Sequence, residues 1–437
     1  MSKLRLPLCL AYAVAPLIVA SASLPSVADE TYTLKNIISL PDGQTLRAFD
    51  ISFVDPESHR YALAASATAP FPNTGPASNP RVVIVDTLFN VVINEFNGTP
   101  SFAGNCQASA VAPRNTFGGP NGVMIIEKGR NADIWVADGP KFLTSCDPTS
   151  GGGVPTVFSS VKVLDLHTGA TKAVIPTGGK RRADELCYNP VSDVVLIAND
   201  DVLDNFITFI GEDRYNVLQK MTFDGTDPMA NKIIANGIEQ CQFDPRDGKF
   251  YLNIPNTGTA TPPGPGVVLR ISGSAPFHVE KVFTPACGGA TGMAIGPDHQ
   301  IGLACSTSAE IIDDRTGNQI ALLSTLGGAD EMWFDPRSNH YFFAISVPGS
   351  LGVADAGPPP SADSPNTATA SGSHSVAADP ITRQVYVPIR AGAGTVCSSG
   401  VDVFGTKGND ALGCIAVYTA PGDKDDGHDH DHRADNH

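Results

Sequence analysis

A seven-residue phrase recurs along this 437-residue chain, and side chains able to do chemistry collect at its first position. That position holds Asp50, Asn121, Asp184, Glu239, Thr291, Asp330 and His374, and Glu185, Gln240 and Glu331 follow one place later in three copies. Carboxylates, an amide and an imidazole are all oxygen or nitrogen donors. Gathered in one place, four carboxylates repel each other and are costly to desolvate. A bound hard cation relieves both, and oxygen donors in this number suit calcium or magnesium. His374 would instead favour a transition metal. A divalent metal held by Asp50, Asn121, Asp184, Glu239 and Asp330 would be a Lewis acid for hydrolysis, with His374 or Glu331 as general base. The alternative is that these groups bond backbone amides and water in a wet channel.

The phrase also supplies the elements that would gather them. It runs from a polar residue through four mostly apolar or small residues to Asp-Pro, as in Asp50 to Pro56, Glu239 to Pro245 and Asp330 to Pro336. The copy from Asn121 to Glu127 keeps the pattern without the proline. A second apolar run follows each phrase, such as Val194-Val-Leu-Ile-Ala198 or Tyr341-Phe-Phe-Ala-Ile345. Asp-Pro between two such runs is turn chemistry, because proline fixes φ and Asp bonds the backbone two residues on. Third and fourth runs follow in most copies. A four-stranded hairpin unit repeated at this spacing is a propeller blade. The last copy lacks a fourth strand, and the segment Thr33 to Ser39 offers a spare one. The sequence therefore predicts an all-β, seven-bladed propeller over 29–420, its ring closed by an N-terminal strand that completes the last blade. Each phrase would set its first residue at one mouth of the central channel. Trp135 and Trp333 lie on blade strands and read as core. The segments 97–117 and 141–155 read as inserted loops, and 348–372 as a flexible excursion replacing an outer strand.

The remaining composition bounds the setting. Lys3, Arg5, an apolar run from Leu6 to Ala22 and Ser26-Val27-Ala28 read as a secretory signal over 1–28. That places the mature chain in the periplasm or outside the cell, and no later stretch is long and apolar enough for a membrane span. The net charge is −16, and −18 once Lys3 and Arg5 leave. So acidic a protein repels nucleic acid. Without Cys9 an even set of eight cysteines remains, which fits disulfides in an oxidising compartment. Cys397 with Cys414 and Cys106 with Cys146 are the favoured pairs, and Cys287 with Cys305 is a further candidate. The tail 421–437 is acidic and His-rich and reads as disordered, with His428, His430 and His432 as weak metal ligands or merely solvated. No nucleophile elbow, His-Glu-x-x-His or P-loop occurs.

Pro120-Asn121-Gly122 with Ile134-Trp135-Val136-Ala137-Asp138 resembles the gluconolactonase and strictosidine-synthase-like propellers. His374-Ser375-Val376-Ala377 with Asp379-Pro380 resembles the repeats of exported YVTN-type seven-bladed propellers. The first resemblance implies one divalent metal in the channel, often calcium, that polarises a lactone or ester carbonyl. Asn121 matches the family's asparagine, and Asp184, Glu239 and Asp330 stand where acidic ligands could sit. Two functions follow as expectations: a metal-dependent lactone or ester hydrolase, or a non-catalytic exported propeller, monomeric, that binds a metal, small ligand or protein at the channel mouth.

Overall fold

The computed structural model describes residues 31–66, 79–103, 119–129, 131–139, 157–200, 205–363 and 365–420. The signal segment, the tail, the segment 141–155 and the Cys106–Cys146 pair lie outside the described residues.

Seven antiparallel sheets make seven blades, spanning 52–96, 123–176, 182–222, 241–283, 293–323, 329–368 and 377–419. Strands pair in chain order from the inside out. The seventh sheet alone departs from this, with the order Ala377–Asp379, Gln384–Ile389, Cys414–Thr419 and then Thr33–Ile38. Thr33 faces Thr419 and Ile38 faces Ile415, so the N-terminal strand completes the last blade as the sequence predicts.

Burial explains the strand sequences. A middle strand is covered by neighbouring blades on both faces, so it reads as an unbroken apolar run. Tyr61, Ala62, Leu63, Ala64 and Ala65 are all buried, and so are Val194 to Ala198. Outer strands touch solvent and are mostly exposed, as along Asn216–Thr222. Core clusters form between blades: Phe209 of blade 3 stacks on Phe277 of blade 4 with ring centres 3.9 Å apart.

The Asp-Pro turns work as the sequence suggests. Asp244, Asp335 and Asp379 each accept the backbone N–H two residues on, at 2.8, 2.9 and 2.8 Å. Asn189 does the same to Val191 at 2.8 Å. These turns define one flat face of the ring: first and second strands are joined by tight links such as 56–59, 190–193, 245–248 and 336–339. Among the described residues the long connections 39–51, 223–240, 255–266 and 390–413 lie on the opposite face.

Disulfides join Cys397 to Cys414 and Cys287 to Cys305, as anticipated. A third, Cys187 to Cys241, ties the first strand of blade 3 to that of blade 4 and escaped the sequence reading. The segment 348–372 corrects an expectation. It does not replace an outer strand but builds one in two fragments, Ser361–Ala362 and Thr367–Ala368, both paired with Ser350–Asp355.

Closure gives the first test. Ile37 is fully buried on the closing strand, whereas Thr33 is exposed. Ile37→Ala should lower the unfolding free energy by about 2–5 kcal/mol, and Thr33→Ala by less than about 0.5 kcal/mol. Urea midpoints of the two variants check this.

Candidate functional site

The channel is built by the first strands, and its loop-side mouth begins with the phrase starts. Adjacent blades are stitched there by backbone: Ile51 N–H donates to Asn121 O, Gln240 N–H to Thr291 O and Glu331 N–H to His374 O, each at 3.2 Å. Two first-position side chains join the stitching. Asn121 Nδ2 donates to Ala183 O at 3.1 Å, and Thr291 Oγ1 to Ala329 O at 3.1 Å. The approach is so close that a Cβ on Gly122 would lie 1.8 Å from Asp184 O. Pro-Asn-Gly therefore has a packing reason here, independent of any ligand.

The acidic pairs sit on irregular backbone. In blade 3 the ladder shifts between Ala183 and Leu186, and in blade 6 between Ala329 and Met332. Each bulge contains two consecutive acids, Asp184-Glu185 and Asp330-Glu331. A bulge breaks strict alternation, which lets neighbouring carboxyls crowd one channel.

A residue outside the phrase meets their charge. Arg182 places Nε 2.8 Å from Asp184 Oδ2, Nη1 3.5 Å from Asp50 Oδ2 and Nη2 3.2 Å from Asp200 Oδ2. Asp184 is 2 % exposed, and its Oδ1 has no hydrogen-bond partner among the described residues. Glu239 is half-buried nearby, and Asp330 is exposed at the mouth. His374 stacks on Phe49 at 4.7 Å and sits 3.8 Å from Asp50. Its Nδ1 lies 2.8 Å from Gly372 O and its Nε2 3.2 Å from Phe49 O. Both carbonyls are acceptors, so a ring nitrogen bonds either of them only when it carries a proton.

Below this vestibule lies a second layer. Glu331 Oε2 accepts from Ser375 Oγ at 2.8 Å, and Ser375 Oγ lies 2.7 Å from Ser52 Oγ. Gln240 Oε1 accepts Met293 N–H at 2.6 Å. Glu185 is 7 % exposed and makes no hydrogen bond among the described residues. Burial is the main force on these acids. It pushes Asp184, Glu185, Glu239 and Glu331 well above the ordinary carboxylate range, and Asp330 upward as well. Like charges add to it: Glu331 and Asp184 act on Glu185, and Asp50 acts on Glu331. Arg182 opposes the rise at Asp184 and Glu239. A Glu331 carboxyl that keeps its proton donates one rather than abstracting one.

Beneath this layer the channel widens into a chamber of about 500 Å³ that reaches the turn face. Its wall includes Phe53, Met124, Tyr188, Phe243, Trp333 and Phe334, and Pro56, Pro190, Pro245, Pro336 and Pro380 rim it. Trp135 is fully buried as expected; Trp333 packs against two core clusters, as expected, but is only partly buried, lines the chamber and meets Phe53 edge-on at 5.5 Å.

The structure thus brings Asp50, Asp184, Glu239, Asp330 and His374 to one mouth and turns Asn121 into the blade contact. As placed, Asp50 and Asp184 belong to the ion-pair network of Arg182, and Asp184 keeps one oxygen, Oδ1, outside it. Among the described residues no three His, Cys, Asp or Glu side chains stand as a metal-ligand set. Arg182 precedes its phrase by two residues and Asp200 ends the second strand of blade 3, so the repeat gave no signal for either. The one available cue was the basic run Lys180-Arg181-Arg182 just ahead of an acidic phrase.

No family model matches the chain, and no curated protein matches it. Solved structures do resemble it. The Neurospora crassa Pan2 WD40 domain shares 9 % identity, covering 90 % of this chain and 96 % of that one, with a TM-score of 0.55. A propeller chain in the crystal structure of the mitotic checkpoint complex shares 12 %, covering 87 % and 96 %, at 0.53. The RRP9 WD40 repeats share 9 %, covering 89 % and 100 %, also at 0.53. At these identities the likeness establishes the seven-bladed fold alone.

The raised carboxyls predict a pH dependence. In the folded protein they hold protons that the unfolded chain, with ordinary carboxyls near pH ~4, has released. Their stabilising contribution is full below that value and is lost as pH rises through the folded values. The melting temperature should fall from pH 5 to pH 8. Arg182→Gln should deepen the fall, costing about 3–5 kcal/mol where the acids are ionised and less at pH 5. Equal destabilisation at both pH values would show that Arg182 does not offset the acids.

Proposed function

We propose that this chain is an exported, non-catalytic binding propeller whose loop-bearing face recognises a protein partner with a basic contact patch. The observation that carries this reading is the asymmetry of the ring: the long connections among the described residues lie on the face where the acidic vestibule opens. Binding residues favour loops held by a rigid scaffold, and an acidic mouth steers a basic partner toward it. Three disulfides among the described residues fit an oxidising compartment, as export requires. One propeller of similar fold was solved within a multi-protein complex.

The metal-dependent hydrolase is the second reading. The unpartnered Asp184 Oδ1 favours it, because that oxygen is left for a cation. Elemental analysis of the mature protein truncated after Ala420 separates the two. The binding reading expects no stoichiometric divalent metal. About one ion per chain, lost in the Asp184→Ala, Glu239→Ala double variant, would restore the hydrolase reading and justify a lactone and ester screen.

Charge reversal tests the face itself. Asp330 and Glu239 open into the vestibule, whereas Asp298 is exposed on the turn face. A partner cross-linked to the secreted protein should survive Asp298→Arg and be lost with Asp330→Arg plus Glu239→Arg. The opposite pattern would move recognition to the turn face.

A further inference from the structure

The chamber beneath the vestibule is a site in its own right. Its volume of about 500 Å³ falls in the range of small-molecule pockets, about 300–1,000 Å³. Such pockets pair apolar walls with a few converging polar groups. Here the wall is aromatic and the deep end carries Glu185 and Gln240. Gln240 Oε1 is already taken by Met293 N–H, and Glu331, at the same level, is held by Ser375. Glu185 alone is 93 % buried, lines the chamber and has no hydrogen-bond donor among the described residues. A buried acid left without a donor is costly unless something supplies one.

The missing partner can be described chemically. A cationic N–H donor would take the place of the proton that burial holds on Glu185, so its binding releases that proton, and it must cross apolar walls to get there. A strongly hydrated inorganic ion or an anion meets neither condition. No hydrogen bond to the Glu185 carboxyl is made among the described residues, and once its proton leaves, its two oxygens suit the two parallel N–H groups of a planar guanidinium. A guanidinium is more weakly hydrated than an ammonium and stacks on aromatic faces, and Phe53, Phe243 and Trp333 offer such faces. We propose that the chamber binds a small apolar guanidinium compound, its planar head on Glu185 and its apolar body along Phe53, Phe243 and Trp333. The site reaches the turn face and does not depend on partner recognition at the loop-bearing face.

The test uses n-hexylguanidinium as probe, with n-hexylammonium, n-hexanol and hexanoate as matched controls. Binding is followed by calorimetry and by tryptophan fluorescence. The chain has two tryptophans, and only Trp333 lines the chamber. Hexylguanidinium should bind, change the fluorescence and outcompete hexylammonium. Glu185→Gln should weaken it about tenfold or more, whereas Asp330→Asn in the vestibule should leave it unchanged. Met124→Trp fills the chamber without touching its charge and should block binding, which covers the case in which Glu185→Gln fails to fold. The proposal is overturned by equal binding of hexanol, by hexylammonium binding as tightly as hexylguanidinium, by full affinity in folded Glu185→Gln, or by no binding to the folded wild type.

Discussion

Each blade of this ring leans on both neighbours, so no blade is complete until the last gap is shut. The pairing of Thr33–Ile38 with Cys414–Thr419 shuts it. Without that strand, Cys414–Thr419 would be an exposed edge, and the apolar cluster joining Ile37 to Val387 and Ala416 would open to water. The Cys397–Cys414 disulfide fixes the loop 390–413 beside the seam. Unbroken apolar middle strands, mixed outer strands and glycines where blades touch all presuppose a closed circle.

Closure also creates the electrostatic problem at its centre. Seven strand starts converge on one axis, and this sequence places acids at four of them, doubling two with a second acid inside a bulge. The outcome is layered. Arg182 and His374 share the vestibule with Asp50, Asp184, Glu239 and Asp330, whereas Glu185 faces the apolar chamber with no cation beside it. One ring of similar residues thus acquires two environments, an ion-paired mouth and an unpaired acid under an aromatic wall. The difference arises from which neighbour each carboxyl meets, since burial pushes Asp184, Glu185, Glu239 and Asp330 upward alike.

Much of this was legible in the sequence. The phrase is a local signal, repeated seven times, and it gave the blade count, the closing strand and the ring of first residues. The Asp-Pro turns were readable because an Asx turn needs only residues within the phrase. What escaped reading depends on neighbours remote in sequence. Arg182 touches Asp50 across two blades, and Cys187 meets Cys241 54 residues away. The side toward which Trp333 points depends on the bulge at Asp330-Glu331. Asn121 looked like a ligand by type, and its Nδ2 also stitches the blades by donating to Ala183 O, a contact the repeat did not signal. Residue type foretold the donor set, and only packing could tell which donors were already engaged.

The closing pair joins Thr33 to Thr419, almost the whole described length of the chain. Contacts of such separation are the slowest to form, because the loop they close must lose its freedom first. The strand nearest the N-terminus is therefore made first and used last. During synthesis it is a half-apolar strand with no partner, since the strand it needs lies in the final blade. Six blades can assemble one against the next while this strand waits, so the half-built ring carries two unsatisfied edges at once. Maturation thus has a single committing event at its end, and a chain interrupted before residue 414 could not reach it, however well its earlier blades had folded.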